Sequence, residues 1–205
     1  APFALALLAL PVAWLVLRRL QVAPRGHRSH LGEYFGGLWT VVRRPQVLLL
    51  FFTSTAIFIL LYGAYLTFLP FLMVERFGSS PPQIGLMMGW LSLATALTSA
   101  NLGRLAARLG HRRLMALGFM AFAAGLAAVP RAPQVMALAL PAVLLGFAFA
   151  TTIPVVQVLL AGFAPTDRRG AVMSLNGTVL RLGQTLGPPL MAGVHRFGGV
   201  DSVFA

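Results

Sequence analysis

The sequence predicts an all-α integral membrane protein, a helical bundle of about five complete transmembrane helices with two partial ones. Three observations carry this. Hydrophobic residues make up 58% of the 205 and charged residues 10%, with mean hydropathy +0.83. Soluble domains hold about 45–50% apolar and about 25% charged residues, so a soluble domain, a disordered tail and a collagen-like chain are excluded. Uncharged runs long enough to cross a hydrocarbon core of about 30 Å recur along the chain. The ten-residue alternating segments of a membrane barrel do not occur.

Residues 1–17 read as the end of a transmembrane helix. Arg18 and Arg19 follow this apolar run, whereas a signal peptide carries its charge before one. The chain starts and stops inside apolar stretches, as a fragment of a longer protein would. Residues 18–44 form a polar segment. Within it Leu31, Tyr34, Phe35, Leu38, Val41 and Val42 recur at helical spacing, opposite Gly32, Glu33, Gly36 and Thr40. This predicts an amphipathic connector on the membrane surface or against the bundle. The transmembrane bundle occupies 45–205.

Its first helix, about 45–74, is bounded by Arg43–Arg44 and Glu75–Arg76. A helix this long must tilt, kink or project from the bilayer. The second, about 80–103, opens at Ser80-Pro81-Pro82-Gln83, which combines an N-cap, a first-turn proline and a capping-box glutamine. Gly85 and Gly89, four apart, suggest helix packing. A shorter third helix covers about 114–130. The turn Pro130-Arg131-Ala132-Pro133 leads into a fourth, about 133–163, with kinks expected at Pro141 and Pro154. A fifth covers about 170–194, and a further one starts from about 199.

All 16 basic residues are arginine, against four acids, for a formal charge of +12. The arginines fall between the apolar runs, so the positive-inside rule explains them and nucleic-acid binding does not. With residues 18–44 inside, twelve arginines lie in cytoplasmic segments and three, Arg76, Arg131 and Arg196, outside. The remaining one, Arg181, lies within a span.

That span holds the strongest site candidate. Ser174, Thr178, Arg181 and Thr185 fall on one helical face, flanked by Gln184 and Pro188. Val172, Leu175, Val179, Leu182, Leu186 and Leu190 form a second stripe, for lipid or packed neighbours. Insertion scales charge about 2.5–3.5 kcal/mol for a mid-membrane arginine. Backbone carbonyls of a kinked helix, cavity water or an anionic partner must compensate it. No acid lies within a span, so a carboxylate partner would belong to a substrate or to chain outside this sequence. Gly183, Gly187, Pro188 and Gly193 permit close helix approach and bending. Tyr62 and Tyr65, and Thr151, Thr152 and Gln157 around Pro154, are further cavity-lining candidates. The histidines show no metal-ligand spacing, cysteine is absent, and no nucleophile elbow, phosphate loop or paired carboxylate occurs. No metal, no cofactor and no enzyme activity is expected.

Gly103, Arg104, Arg108, Gly110, Arg112 and Arg113 lie in the run Gly-Arg-Leu-Ala-Ala-Arg-Leu-Gly-His-Arg-Arg. It resembles the loop signature of the major facilitator superfamily, in which small residues let two helix ends approach and arginines help set the conformational state. Ala107 stands where that pattern prefers aspartate and His111 where it prefers arginine. The stretch from Arg169-Gly170 to Gly193, including Asn176-Gly177, Arg181-Leu182-Gly183-Gln184 and Gly187-Pro188, is similar to the eleventh helix of drug-efflux members. The resemblance implies the C-terminal half of a twelve-helix, multi-pass transporter of the cell inner (plasma) membrane, working by alternating access with an N-terminal half. It implies proton-coupled export, by antiport, of small organic or drug-like molecules. An uptake carrier for sugars or organic acids is the alternative, and a membrane enzyme or non-transporting scaffold the rival class. In this setting Arg181, Gln184, Thr178, Thr185, Tyr62 and Tyr65 are candidates for substrate binding or coupling.

Overall fold

The computed structural model describes residues 31–204, together with Pro11, Trp14, Leu15 and Arg18. The readings for the rest of 1–30 lie outside these residues, as do the side chains of Leu31, Glu33, Tyr34 and Phe35. The chain divides into two compact units, 1–35 and 36–205. In the first, the Arg18 guanidinium lies 3.9 Å from the centre of the Trp14 ring.

Six helices follow in order: α1 (Leu31–Val42), α2 (Pro45–Phe77), α3 (Pro81–Leu109), α4 (His111–Ala128), α5 (Ala139–Phe163) and α6 (Arg169–Gly198). Val135–Leu138 and Asp201–Val203 are short 3-10 turns. No strand occurs among the described residues. Helices α2 and the stretch Val135–Phe163 are long and apolar enough to cross a membrane by length and composition. The others carry charge or polar groups that dilute them: α6 alone holds Arg169, Arg181, His195 and Arg196.

The ends differ from the sequence boundaries where arginine enters a helix. Helix α3 runs six residues past Gly103, and α4 begins at His111 rather than Leu114. The expected loop between them therefore shrinks to Gly110, whose φ of +76° suits glycine alone. Past the end of α6, the described residues show only the 3-10 turn where a further helix was expected.

The capping box at the start of α3 is in place: the Ser80 N–H donates to Gln83 Oε1 at 2.9 Å. Helix α2 ends in a glycine cap. Gly78 has φ +58° and its N–H donates to the Val74 carbonyl, while the Ser79 N–H reaches back to Met73. Pro154 sits inside α5, which continues through it to Phe163.

Helix α2 is continuous for 33 residues, but its middle, Leu60–Phe68, is π-helical. Pro70 offers a cause. It donates no N–H and its ring crowds the carbonyl four residues back, so the turn before it widens. The Leu69 N–H is shared between Ala64 and Tyr65, and Thr67 Oγ1 donates to the Tyr62 carbonyl five residues back at 2.7 Å.

Helix α5 packs between α3 and α4, and α6 packs along α2. Small residues set these approaches. A Cβ on Gly146 would strike the Leu91 carbonyl, and one on Gly118 the hydroxyls of Thr151 and Thr152. The larger core gathers Ile57, Leu61, Tyr65, Leu72, Met87, Leu138 and Leu145. A smaller one, at the arginine-rich end, joins Val41 of α1 to Leu50, Phe51, Val156, Leu160 and Val172. Within the second unit, residues 36–42 of α1 dock on the bundle: Leu38 and Val42 pack on that core, while Thr40 is exposed.

Candidate functional site

Helix α6 presents two opposed faces. On one, Val172, Asn176, Gly183 and Gly187 are buried. A Cβ on Gly183 would lie 2.7 Å from the Thr55 carbonyl, and one on Gly187 2.8 Å from that of Ile59 and 2.9 Å from Gly63 N. Gly63 is the reciprocal partner, with the Gly187 carbonyl 2.6 Å from where its own Cβ would be. Two backbones touch here, at the π-helical turn of α2 and just before Pro188–Pro189 of α6.

The other face carries the polar stripe. Ser174, Thr178, Arg181 and Thr185 are all exposed, and Gln184 and Pro188 are half-buried. Thr178 Oγ1 donates to the Ser174 carbonyl and Thr185 Oγ1 to that of Arg181, at 3.2 and 3.1 Å. These two threonine hydroxyls are thus satisfied within the helix. The Arg181 guanidinium has no hydrogen-bond or ion-pair partner among the described residues, so the alternative of bonding to helix carbonyls is not seen among them. At 1.5 Å per residue it stands about 18 Å from the start of α6 and about 26 Å from its end. The apolar stripe splits: Val172 is buried, while Leu182, Leu186 and Leu190 are exposed.

The other candidates divide. Tyr65 lies in the core, 1% exposed, with its hydroxyl directed at the Met87 carbonyl, 3.5 Å away. It does not line a cavity with Arg181. Tyr62 is half-buried and stacks on Phe58 at 5.5 Å. Thr151 and Thr152 are fully buried at the α4 contact, and Gln157 is exposed. Gly85, Gly89 and Gly193 have open space where a Cβ would go, with no close neighbour among the described residues.

The signature run is almost wholly helical. Gly103 has open space where close approach was expected, and it lines a cavity of about 200 Å³ with Ala106, His111 and Pro154. Arg104 donates to Asn101 Oδ1 at 3.3 Å, and Arg108, Arg112 and Arg113 project at the same end of the bundle. That end also holds Arg43, Arg44, Arg168 and Arg169, with Asp167 the one acid there among the described side chains. The opposite end carries Arg76, Arg131 and Arg196 with Glu75 and Asp201. There Arg76 donates to the Pro130 carbonyl at 2.6 Å and lies 3.7 Å from Asp201.

Sequence reasoning missed two features. Ser54 Oγ donates to Asn176 Oδ1 at 3.1 Å, buried between α2 and α6. Three hydroxyl residues, Thr53-Ser54-Thr55, inside an apolar helix were the available signal. His195 packs its ring against Phe68 and Phe71, at 5.4 and 5.5 Å, which no local pattern announces. Among the described residues no cluster of His, Asp or Glu could hold a metal.

Comparison with known proteins agrees with this helical organisation. A family model described as Major Facilitator Superfamily matches residues 52–205. Over 111 residues the chain is 30% identical to the putative metabolite transport protein YwtG of Bacillus subtilis, covering 54% of this chain and 24% of that protein. Over 128 residues it is 28% identical to the uncharacterized MFS-type transporter YdeE of Escherichia coli, covering 62% of this chain and 32% of that one. The chain thus aligns with a third or less of the length of these relatives.

Proposed function

The chain belongs to the major facilitator superfamily, and from that premise we propose that it is the C-terminal half of a secondary transporter that works by alternating access. The two halves rock about a midplane site, and this half contributes the polar stripe of α6. Arg181 carries the reading: an unpaired guanidinium, mid-helix, on the face turned away from α2. A charge there is stable beside a water-filled path, an anionic substrate or an acid of the other half. The transporter is a multi-pass protein of the inner (plasma) membrane and exports small organic or drug-like molecules in exchange for protons. Glu75, Asp167 and Asp201 all sit at helix ends or in connections, so none of these three lies mid-helix beside Arg181.

One observation favours a second reading, an uptake carrier for organic acids. With no carboxylate facing it among the described residues, Arg181 is free to take one from a substrate. Reconstitution of the full-length transporter in proteoliposomes, with and without a pH gradient, separates the two. Gradient-driven movement of uncharged or cationic organic molecules is expected. Transport indifferent to the gradient would remove proton coupling, and selective carboxylate uptake would establish the carrier.

Orientation has its own test. The eight arginines at the α3–α4 and α5–α6 connections and the start of α2 support, by the positive-inside rule, a cytoplasmic location for that end. Ser79 is only 7% exposed, so Gln134 is the better probe of the opposite end and Thr166 of this one. In sealed cells an impermeant thiol reagent should label Gln134→Cys and spare Thr166→Cys. The reverse pattern overturns the orientation.

A further inference from the structure

We propose that Ser54 and Asn176 are positioning residues, whose buried hydrogen bond selects the rotation of α6 on α2 and thereby the face on which Arg181 is presented. The consequence for transport rests on the role given to Arg181; the rotational claim does not.

Helix α6 meets α2 along one line. At one end His195 lies against Phe68 and Phe71, in the middle Gly183 and Gly187 touch backbone, and toward the arginine-rich end Asn176 meets Ser54. The first two contacts are tolerant of rotation. Helix α6 contains six glycines, and those at Gly170 and Gly177 form a second small face with open space beside it. A neighbouring helix could approach that face as closely. Close packing alone does not decide between them.

The polar pair does. Ser54 is 0% and Asn176 2% exposed, among apolar side chains where an unpaired amide is costly. A rotation that buries Asn176 anywhere but beside Ser54 leaves both groups unsatisfied. A single buried asparagine fixes register in coiled coils by the same logic. Arg181 follows Asn176 by five residues, which at 100° each places it about 140° around the helix. Turning Asn176 toward α2 therefore turns Arg181 away from it, with Thr178 beside it.

The test uses the full-length transporter in a background without cysteine, which these 205 residues already lack. Single cysteines at Thr178, exposed, and Val172, buried, report the rotation through their rates of reaction with a thiol reagent. A hydrogen bond of ordinary net strength corresponds to about a five- to ten-fold bias between registers. Ser54→Ala and Asn176→Leu should each shrink the Thr178-to-Val172 rate ratio by that factor, and the double variant should shrink it no further. Ser54→Ala removes one oxygen and carries the test by itself if Asn176→Leu does not fold. An unchanged ratio in Ser54→Ala, or losses that add in the double variant, overturns the proposal even where thermal stability falls, because that is what simple packing would give. A collapsed ratio with normal transport supports the rotational lock and removes the role of Arg181.

Discussion

Arg181→Met in the full-length transporter should abolish transport while leaving insertion and expression near those of the parent. The Thr178 and Thr185 hydroxyls of the stripe are satisfied by carbonyls of their own helix, which leaves Arg181 as its one charged group, without a partner among the described residues. Methionine fills a similar length with no charge and no donor. Removing one partner of a desolvated, hydrogen-bonded charge pair costs about 2–5 kcal/mol, so activity should fall at least about 30-fold. Arg181→Lys keeps the charge and loses the planar fork, so part of the activity should remain. Initial transport rates, read beside the amount of folded protein in the membrane, decide it. Normal transport by Arg181→Met would end the site assignment. Loss of folded protein would make the arginine a structural element of α6.

Gly63→Leu should have the largest effect on stability. The Gly187 carbonyl stands 2.6 Å from where the new Cβ must go, and the Met191 side chain is as close. The obstacle is backbone, so relief requires α2 and α6 to part. Overpacking typically costs about 1–3 kcal/mol, and here parting the helices also strains the Ser54–Asn176 hydrogen bond between them. Gly193→Ala is the matched control. It lies in the same helix with open space around it, and removing a mid-helix glycine should gain up to about 1 kcal/mol. Thermal unfolding in detergent should show Gly63→Leu well below the parent and Gly193→Ala level with it or above. Equal stability of Gly63→Leu and parent would mean that the helices do not meet there.

Much of this was open to reading from one dimension. Apolar runs, their arginine borders and the Ser80–Gln83 cap are local signals, because each depends on neighbours within a turn or two. The polar stripe of α6 is local too, since 100° per residue places Ser174, Thr178, Arg181 and Thr185 together whatever surrounds them. Family membership followed from the same kind of local pattern, the Gly103–Arg113 run and the α6 stretch.

Helix ends were harder to place. Arginines mark where a run leaves an apolar slab, but they do not stop a helix, so α3 continues through Arg104 and Arg108 to a single-residue turn at Gly110. The π-helical stretch of α2 was equally hidden, though Pro70 stood in plain view. A proline reports that one hydrogen bond is missing, not how the turns before it rearrange.

What the sequence by itself determined is therefore the all-helical class, the asymmetry of charge between helix ends and the face of α6 that is polar. Only the tertiary structure decided what each small or polar residue is for. Gly183 and Gly187 approach backbone, while Gly85, Gly89 and Gly193 have open space where a Cβ would go among the described residues. Tyr65 is core while Tyr62 is half-open, and Asn176 finds Ser54 across 122 positions of chain. The physical reason is common to all of them. A residue type states what contacts it permits, and only the approach of a second helix, distant in sequence, determines which contact is made.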